Sequence, residues 1–299
     1  MDIKNTYVFC SLDGTLGTEE DGIPKRNREA IARFVEKGGH FGIATSRWIE
    51  SAKAFCDKLP INTYSIIGNG AGIYDVESDT ILFYQSLPEL ANKIYYDIAA
   101  SYPDWQFVGV SLETGYHYLG QHAGEKYYPH YTKLLDETYI KFSALIPEDK
   151  RMADVILDLQ AEYADLLDDI RFVQVDDTHL DILPANANKG TGIRKVADLL
   201  GVSLDNVIFI GSNYNDLEAF RVAGSSACVA STPKSLSLVP DIRLGDAMDG
   251  AVADMLNRIV RKNHLRELEN MHSVNLPVDE RQADQEGEGG LAFPGGKRN

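Results

Sequence analysis

The stretch YVFCSLDGTL, residues 7–16, decides the fold class of this chain of 299 residues. It begins as a short apolar strand and continues into a loop that contains glycine. Similar apolar strands occur at FGIAT (41–45) and at NVIFI (206–210). Amphipathic helical patterns lie between such strands, for example at 26–37 and 191–200. A third strand is expected at 64–67, and the last helix is expected at 250–261. Strands and helices that alternate at this spacing predict βαβ units, and therefore an α/β fold with a Rossmann-like parallel sheet.

The pattern changes after about Asp79. Short alternating strands then surround helical stretches at 87–101 and 149–168, which predicts a separate α+β unit inserted into the first. The expected strands of this unit are 106–110, 116–119, 172–175 and 179–182. The expected organisation is a core domain of residues 1–83 and 186–261, an inserted domain of residues 84–185, and a polar, disordered tail of residues 262–299.

Composition and charge restrict the classes of partner. The chain carries 45 acidic and 29 basic residues, a formal net charge of -16, so a nucleic acid or an anionic membrane is not an expected partner. No apolar run is long enough to span a bilayer, and the first ten residues do not read as a secretory signal. Three widely spaced cysteines suit a reducing compartment. The expected location is the cytoplasm.

Four polar segments follow apolar strands or precede helices, where an open α/β sheet binds its ligands. Each one alone has an ordinary structural explanation as a turn, a helix cap or a solvated lysine. Together, and in this order, they predict one phosphate-type site at the carboxyl edge of the sheet. The four segments are SLDGTL (11–16), Thr45 with Arg47, Lys189, and GSNYND (211–216).

These segments closely resemble the motifs of the haloacid dehalogenase (HAD) superfamily, specifically the Cof-type phosphatases of subfamily IIB, over about residues 6–261. The family's first motif is Asp-x-Asp-Gly-Thr, where this chain has SLDGT, and its fourth is Gly-Asp-x-x-Asn-Asp, where this chain has GSNYND. The NGA turn at 69–71 and the NKG segment at 188–190 also match. The resemblance implies the HAD fold with an inserted cap domain of the C2B type.

The resemblance also implies roles for individual residues, transferred motif by motif. The catalytic positions that it implies are Ser11, Asp13, Thr45 and Lys189. The implied substrate-binding positions are Gly14, Thr15, Ser46, Arg47, Asn69, Gly70 and Asn215. The implied positions for Mg²⁺, the cofactor of the family, are Asp13, Ser212 and Asp216.

Two departures from the family pattern affect its chemistry. Ser11 stands where the family has its nucleophilic and metal-binding aspartate, and Ser212 stands where it has another metal-binding aspartate. A serine hydroxyl is neutral and binds Mg²⁺ poorly, whereas a carboxylate binds it well. We therefore expect Mg²⁺ to be bound weakly or not at all. Loss of an essential nucleophile typically lowers the rate by ~10⁴ or more.

Two hypotheses follow from the resemblance and its departures. In the first, the protein is a catalytically impaired phosphatase-like protein that binds a phosphorylated small metabolite or a protein partner, its site either repurposed or decayed. In the second, it is an active hydrolase of sugar phosphates or related monoesters that uses Ser11, or a water activated by Asp13. The segment 116–131 is rich in tyrosine and histidine, which suits sugar or nucleotide faces, a protein interface or an ordinary polar surface.

Overall fold

The computed structural model describes residues 2–18, 20–119 and 137–274. Its strands are Tyr7–Cys10 (β1), His40–Ile43 (β2), Ser65–Ile67 (β3), Gly72–Asp75 (β4), Thr80–Tyr84 (β5), Gln106–Ser111 (β6), Gly115–Leu119 (β7), Tyr139–Leu145 (β8), Ile170–Gln174 (β9), His179–Pro184 (β10), Val207–Gly211 (β11), Ser225–Cys228 (β12) and Ile242–Arg243 (β13). Its helices are Lys25–Glu36 (α1), Ile49–Cys56 (α2), Glu89–Ser101 (α3), Met152–Glu162 (α4), Lys189–Leu200 (α5), Leu217–Val222 (α6) and Ala251–Val274 (α7).

The main sheet has five parallel strands in the order β13-β12-β11-β1-β2. Its central strand β11 is buried along its whole length, as expected for a parallel sheet covered by helices on both faces. Cys10 is in register with Ile210 of β11 and with Ile43 of β2, so these three strands end at the same level. The predicted α/β fold with a Rossmann-like parallel sheet is confirmed.

A second, antiparallel sheet has the order β7-β6-β8-β10-β9. Its apolar side chains form a core of their own with helices α3 and α4, in which Tyr95 stacks on Phe142 with ring centroids 3.9 Å apart. We call the sheet β6–β10 with α3 and α4 the cap, and the main sheet with its helices the core. The independent folding of residues 84–185 as a domain stays a prediction.

The sequence pattern gave the wrong description of β3 and missed one cap strand. The pattern placed residues 64–67 in the parallel sheet, but β3 meets that sheet only through an isolated bridge between Ala44 and Ile66. Instead, β3 pairs antiparallel with β4, which pairs with β5 in a three-stranded sheet. Strand β8, the middle of the cap sheet, was not predicted, because the buried Lys141 interrupts its apolar pattern.

Two of the predicted helices end at different residues in the structure. The helix expected at 149–168 is α4, which ends at Glu162 and is followed by a short 3-10 turn. The helix expected to end at Arg261 continues to Val274, so residues 262–274 are helical and the predicted tail beginning at 262 is wrong there. Asn263 supports the extension, since its Oδ1 accepts a hydrogen bond from the N–H of Ile3 at 3.1 Å. Residues 275–299 lie outside the described part of the chain.

No helix in the described ranges is long and apolar enough to cross a lipid bilayer.

Candidate functional site

The carboxyl edge of the main sheet brings together residues that are distant in sequence. Ser11 follows β1, Thr45 follows β2 and Ser212 follows β11, and all three are buried. The backbone N–H of Ser11 donates to the carbonyl oxygen of Ile210 at 2.8 Å, which extends the ladder between β1 and β11 by one residue. The parallel register of the strands therefore places three hydroxyl side chains on one edge.

Lys189 is the charged centre of this edge. It is the first residue of α5, which begins in a capping box at Asn188, and only 2% of its side chain is exposed. Its Nζ donates to Asp216 Oδ1 at 2.6 Å and to Ser11 Oγ at 3.0 Å. A buried ammonium group needs a charged partner of this kind, because desolvation of an isolated charge is very costly.

Asp216 is held from the other side by the backbone. Its Oδ2 accepts hydrogen bonds from the N–H of Ser212 at 2.7 Å and from the N–H of Asn213 at 3.1 Å. Gly211 makes this approach possible, since a Cβ atom there would lie 2.5 Å from Asp216 Oδ2. The carboxylate of Asp216 is thus fully engaged by one lysine and two backbone donors.

The hydroxyl of Ser212 joins the loop after β1 to the loop after β11. Thr15 Oγ1 donates to Ser212 Oγ at 2.8 Å, and Ser212 Oγ lies 3.5 Å from the carbonyl oxygen of Asp13. Gly14, which lies between Asp13 and Thr15 in the sequence, has a positive φ of 71°. The position at which the family has a metal-binding carboxylate is therefore part of a neutral hydroxyl chain.

Asp13 is paired with Arg47. Arg47 Nε donates to Asp13 Oδ2 at 2.9 Å, and Arg47 Nη2 donates to Asp13 Oδ1 at 2.7 Å. The backbone N–H of Arg47 also donates to Thr45 Oγ1 at 3.0 Å, and its guanidinium lies over the ring of Phe55, 5.0 Å from the centroid. This bidentate geometry is the strongest form of an arginine–carboxylate contact. Ser46 lies half-buried in the same turn.

Asn69 and Asn215 are hydrogen-bonded to each other beneath the edge of the sheet. Asn215 Nδ2 donates to Asn69 Oδ1 at 2.9 Å, and Asn69 Nδ2 donates to Asp181 Oδ2 at 2.7 Å. The backbone N–H of Asn69 donates to the carbonyl oxygen of Thr45 at 2.9 Å. Gly70 has a φ of 89°, and a Cβ atom there would lie 2.0 Å from the carbonyl oxygen of Asn188, so only glycine fits.

Sequence reasoning missed two residues of this network, Lys141 and Asp181. Both belong to the cap and both are buried. Lys141 Nζ donates to Asp181 Oδ2 at 2.8 Å and to Oδ1 at 3.0 Å. A signal was available, because Lys141 is a lone cation inside the mostly apolar run YIKFSAL, and such a residue needs an anionic partner when it is buried.

The cap also contacts the core nearer the surface. The hydroxyls of Tyr116 and Ser51 lie 2.7 Å apart, and burial raises the pKa of Tyr116. On the other side, Arg171 Nη2 lies 2.7 Å from Glu218 Oε1. The other residues of the aromatic segment that follow Leu119, among them His122, Tyr127 and His130, lie outside the described residues.

The donor set at this edge contains few of the ligands that Mg²⁺ prefers. Magnesium binds oxygen ligands and prefers carboxylates. Within residues 2–18, 20–119 and 137–274, no three His, Cys, Asp or Glu side chains converge on one point. The two carboxylates nearest the edge, Asp13 and Asp216, already accept hydrogen bonds from Arg47 and Lys189.

Comparison with known proteins is consistent with this architecture. A family model described as haloacid dehalogenase-like hydrolase matches residues 8–256. The 5-amino-6-(5-phospho-D-ribitylamino)uracil phosphatase YcsE of Bacillus subtilis is 23% identical over 230 residues, which is 75% of this chain and 83% of that protein. The pyridoxal phosphate phosphatase YbhA of Escherichia coli is 23% identical over 274 residues, which is 83% of this chain and 96% of that protein.

Solved structures share the fold at lower identity. The subclass IIB sugar phosphatase BT4131 superposes with a TM-score of 0.73 at 15% identity, and the match covers 85% of this chain and 98% of that one. Likeness at this level of identity concerns the fold alone.

Proposed function

The chain belongs to the haloacid dehalogenase-like hydrolases, and we propose that it is a Cof-type, phosphatase-like member that binds a phosphorylated small metabolite while metal-dependent hydrolysis is impaired. The proposal rests on the hydrogen-bond partners of Asp216. This retained carboxylate is engaged by Lys189 and by two backbone N–H groups, and its neighbours Ser11 and Ser212 offer only hydroxyls. A divalent cation would have too few anionic ligands there.

The formal charge of the pocket allows an anion to bind without a metal. In the family pattern, two further carboxylates and one Mg²⁺ cancel each other in formal charge. When both carboxylates are serines and no metal is held, the formal charge of the pocket is therefore unchanged. Lys189 and the hydroxyl of Ser11 remain, and an ammonium and a hydroxyl group are suitable donors for phosphate oxygens.

The relatives indicate the class of ligand. The two phosphatases compared above are named for substrates that are phosphate monoesters of small, polar, ring-containing metabolites. We extend to this chain only the feature that they share, a phosphate monoester carried by a small metabolite, with sugar phosphates included.

Retained catalysis is the alternative, and the positions of the side chains argue against it. A serine nucleophile needs an adjacent base that can accept its proton. The Oγ of Ser11 accepts a hydrogen bond from Lys189, whereas the carboxylate of Asp13 is occupied by a bidentate contact with Arg47. Asp13 would have to leave Arg47 before it could serve as a base or as a general acid.

The test combines calorimetry with an activity assay. Wild-type protein is titrated with Mg²⁺ and with inorganic phosphate, and its turnover of p-nitrophenyl phosphate and a panel of sugar phosphates is measured with Mg²⁺ present. We expect phosphate binding, no resolved Mg²⁺ binding and turnover far below ordinary enzymatic rates. Turnover at ordinary rates that is lost in Asp13→Asn would refute the proposal.

The double variant Ser11→Asp with Ser212→Asp is the matched comparison. It restores the two carboxylates of the family motif to positions at the same edge of the sheet. If the rest of the apparatus is intact, Mg²⁺ binding should appear and turnover should rise by a factor of ~10³ or more. An unchanged variant that still binds phosphate would show that hydrolysis was lost at more places than these two.

A further inference from the structure

A cavity of about 270 Å³ lies at the amino edge of the main sheet, opposite the edge that carries the candidate site. Tyr7 and His40, the first residues of β1 and β2, lie in its wall. The last residues of the same strands lead to Ser11 and Thr45 at the other edge. A strand of four residues is roughly 13 Å long, so a small ligand in this cavity would not reach Ser11. We call it the rear cavity.

Three aromatic rings line the rear cavity. Tyr7 and His40 are opposite each other in β1 and β2, and they stack with ring centroids 4.3 Å apart and planes 8° apart. His40 Nε2 lies 3.2 Å from the carbonyl oxygen of Lys4, which can only accept, so Nε2 carries the hydrogen and holds the ring in place. Tyr64, from the segment before β3, supplies the third ring. The faces of aromatic rings carry a negative partial charge that attracts cations.

Two carboxylates also line the rear cavity. Asp75 is the last residue of β4, and Glu77 follows in the turn after this strand. Asp75 Oδ1 accepts a hydrogen bond from the N–H of Glu77 at 3.1 Å, and Asp75 Oδ2 accepts one from Ser78 Oγ at 2.7 Å. These bonds hold the carboxylate in place and leave acceptor positions for a ligand, since its two oxygens offer about four. Among the described residues that line the cavity there is no lysine or arginine.

The end of helix α5 adds to the negative potential. Leu200, the last residue of α5, lies in the wall of the rear cavity. The carboxyl end of a helix carries a partial negative charge of about half a unit. The rings, the carboxylates and the helix end come from separate segments of the chain, and all of them favour a positively charged ligand.

We propose that the rear cavity binds a small organic ammonium ion. Its alkyl groups contact the rings of Tyr7, His40 and Tyr64, and its charge is balanced by Asp75 and Glu77. Aromatic rings are the usual partners of substituted ammonium groups in proteins. A metal ion would need several converging ligands, and no three His, Cys, Asp or Glu side chains in the described ranges converge on one point. The inference does not depend on the proposed function, because the two sites lie at opposite edges of the sheet.

Choline and its neutral analogue 3,3-dimethyl-1-butanol are the probes that test the inference. The two molecules have nearly the same shape, but a tert-butyl group replaces the trimethylammonium group in the neutral one. Each is titrated into wild-type protein and followed by calorimetry. We expect choline to bind about tenfold more tightly, because only the cation gains from the rings and the carboxylates. Since Asp75 and Glu77 are not fully buried, added salt should reduce this ratio.

Glu77→Gln removes one charge from the wall of the cavity and keeps the shape of the side chain. Glu77 is exposed, so the fold should be unaffected, and choline should bind about threefold more weakly. Glu89→Gln is the matched control, since Glu89 is an exposed glutamate in the first turn of α3 in the cap. It changes the net charge of the protein equally and should leave the affinity for choline unchanged.

Tyr64→Leu tests the aromatic part of the wall. Leucine keeps an apolar contact but has no ring, so choline should bind about fivefold more weakly, whereas the affinity for 3,3-dimethyl-1-butanol should hardly change. A loss of stability alone would weaken the binding of both probes together. In wild-type protein, the methyl protons of bound choline should also give nuclear Overhauser effects to the ring protons of Tyr7 and Tyr64.

Three results would overturn the inference. If choline and the neutral analogue bind wild-type protein equally, or if neither binds, the cavity does not recognise a cation. If Glu77→Gln and Glu89→Gln have the same effect, choline responds to the net charge of the protein and not to the cavity. If Tyr64→Leu weakens both probes equally, the ring does not recognise the charge. Neither probe contains a phosphate, so each of these results leaves the proposed function unaffected.

Discussion

The protein contains two buried lysine–aspartate pairs, one in the core and one in the cap. Lys189 lies 2.6 Å from Asp216, with 2% and 0% of the two side chains exposed. Lys141 lies 2.8 Å from Asp181, with 8% and 2% exposed. The two pairs are thus alike in length and in burial, but they are built differently. The core pair joins the start of α5 to the 3-10 turn that precedes α6, whereas the cap pair joins the neighbouring strands β8 and β10.

This difference explains why only one pair could be read from the sequence. Lys189 and Asp216 each lie in a motif with recognisable neighbours, NKG and GSNYND. Lys141 and Asp181 are neighbours only because β8 and β10 pair in one particular register, with Asp181 opposite Ser143. A shift of one residue would turn Lys141 to the other face of the sheet. The pairs also differ in position: the first lies at the carboxyl edge of the main sheet, and the second lies in the cap, where Asp181 also accepts a hydrogen bond from Asn69 of the core.

The largest expected effect comes from removing the lysine of the core pair. Lys189→Met leaves Asp216 buried with backbone donors only and without a compensating charge. The free energy of unfolding should fall by about 3–5 kcal/mol, and phosphate binding should be lost. Urea denaturation followed by circular dichroism measures the first effect, and calorimetry measures the second.

Lys25→Met serves as the control for the core pair, because 81% of the Lys25 side chain is exposed and its partner Glu29 is also on the surface. Its effect should stay within ~0.5 kcal/mol. A Lys189 variant as stable as this control would show that the core pair contributes nothing to folding.

The cap pair should come next. Lys141→Met should lower the free energy of unfolding by about 3 kcal/mol, because Asp181 loses its charge partner but keeps the donors Ser143 and Asn69. The double variant Lys141→Met with Asp181→Leu removes both charges. It should be more stable than the sum of the two single changes predicts, by about 1–3 kcal/mol. Strict additivity in this cycle would mean that the two side chains do not interact.

A partly exposed pair should have a smaller effect. Arg171 of the cap and Glu218 of the core lie 2.7 Å apart, but 27% and 31% of their side chains are exposed. Solvent screens such a pair, so Arg171→Met should cost only about 0.5–1 kcal/mol in urea denaturation. A loss as large as that of Lys189→Met would contradict the view that burial sets the strength of these pairs.

The smallest effect is expected at Asp176 and His179, an exposed pair beside β10. Burial alone would raise the pKa of Asp176, but hydrogen bonds from His179 and from backbone N–H groups outweigh burial and lower that pKa to about 2. The hydrogen bond to Asp176 raises the pKa of His179. The protonated histidine therefore stabilises the fold below its unfolded pKa of about 6.5, and the stabilisation is lost as pH rises through the higher folded pKa.

The carboxylate of Asp176 sets the lower pH limit of the stabilisation by this pair. Its contribution is present above an unfolded pKa of about 3.9 and is lost as pH falls toward the folded value. Wild type should therefore have a higher Tm than His179→Gln between about pH 4 and pH 6.5, by a degree or two at most, and the difference should shrink above that window. A Tm difference that grows with rising pH would reverse the assigned sign.

The sequence alone determined the parallel core and the identity of the residues at its edge. Apolar strands that end in SLDGT, FGIAT and VIFIG must place Ser11, Thr45 and Ser212 together once they form one parallel sheet. Ser11 and Ser212, at positions where the resemblance implies aspartates, could also be identified without coordinates. These features are local: each depends on a short segment and on the general rule for where parallel strands end.

Only the tertiary structure decided which side chains are paired. The contact of Arg47 with both oxygens of Asp13, the antiparallel pairing of β3 with β4, and the buried Lys141 in β8 depend on distances between remote segments. A polar residue in an apolar strand is destabilising in isolation, and its partner is fixed by strand register, which no short pattern encodes. The hydrogen bond from Asn69 Nδ2 to Asp181 Oδ2, which joins the core to the cap, likewise depends on segments that are far apart in sequence.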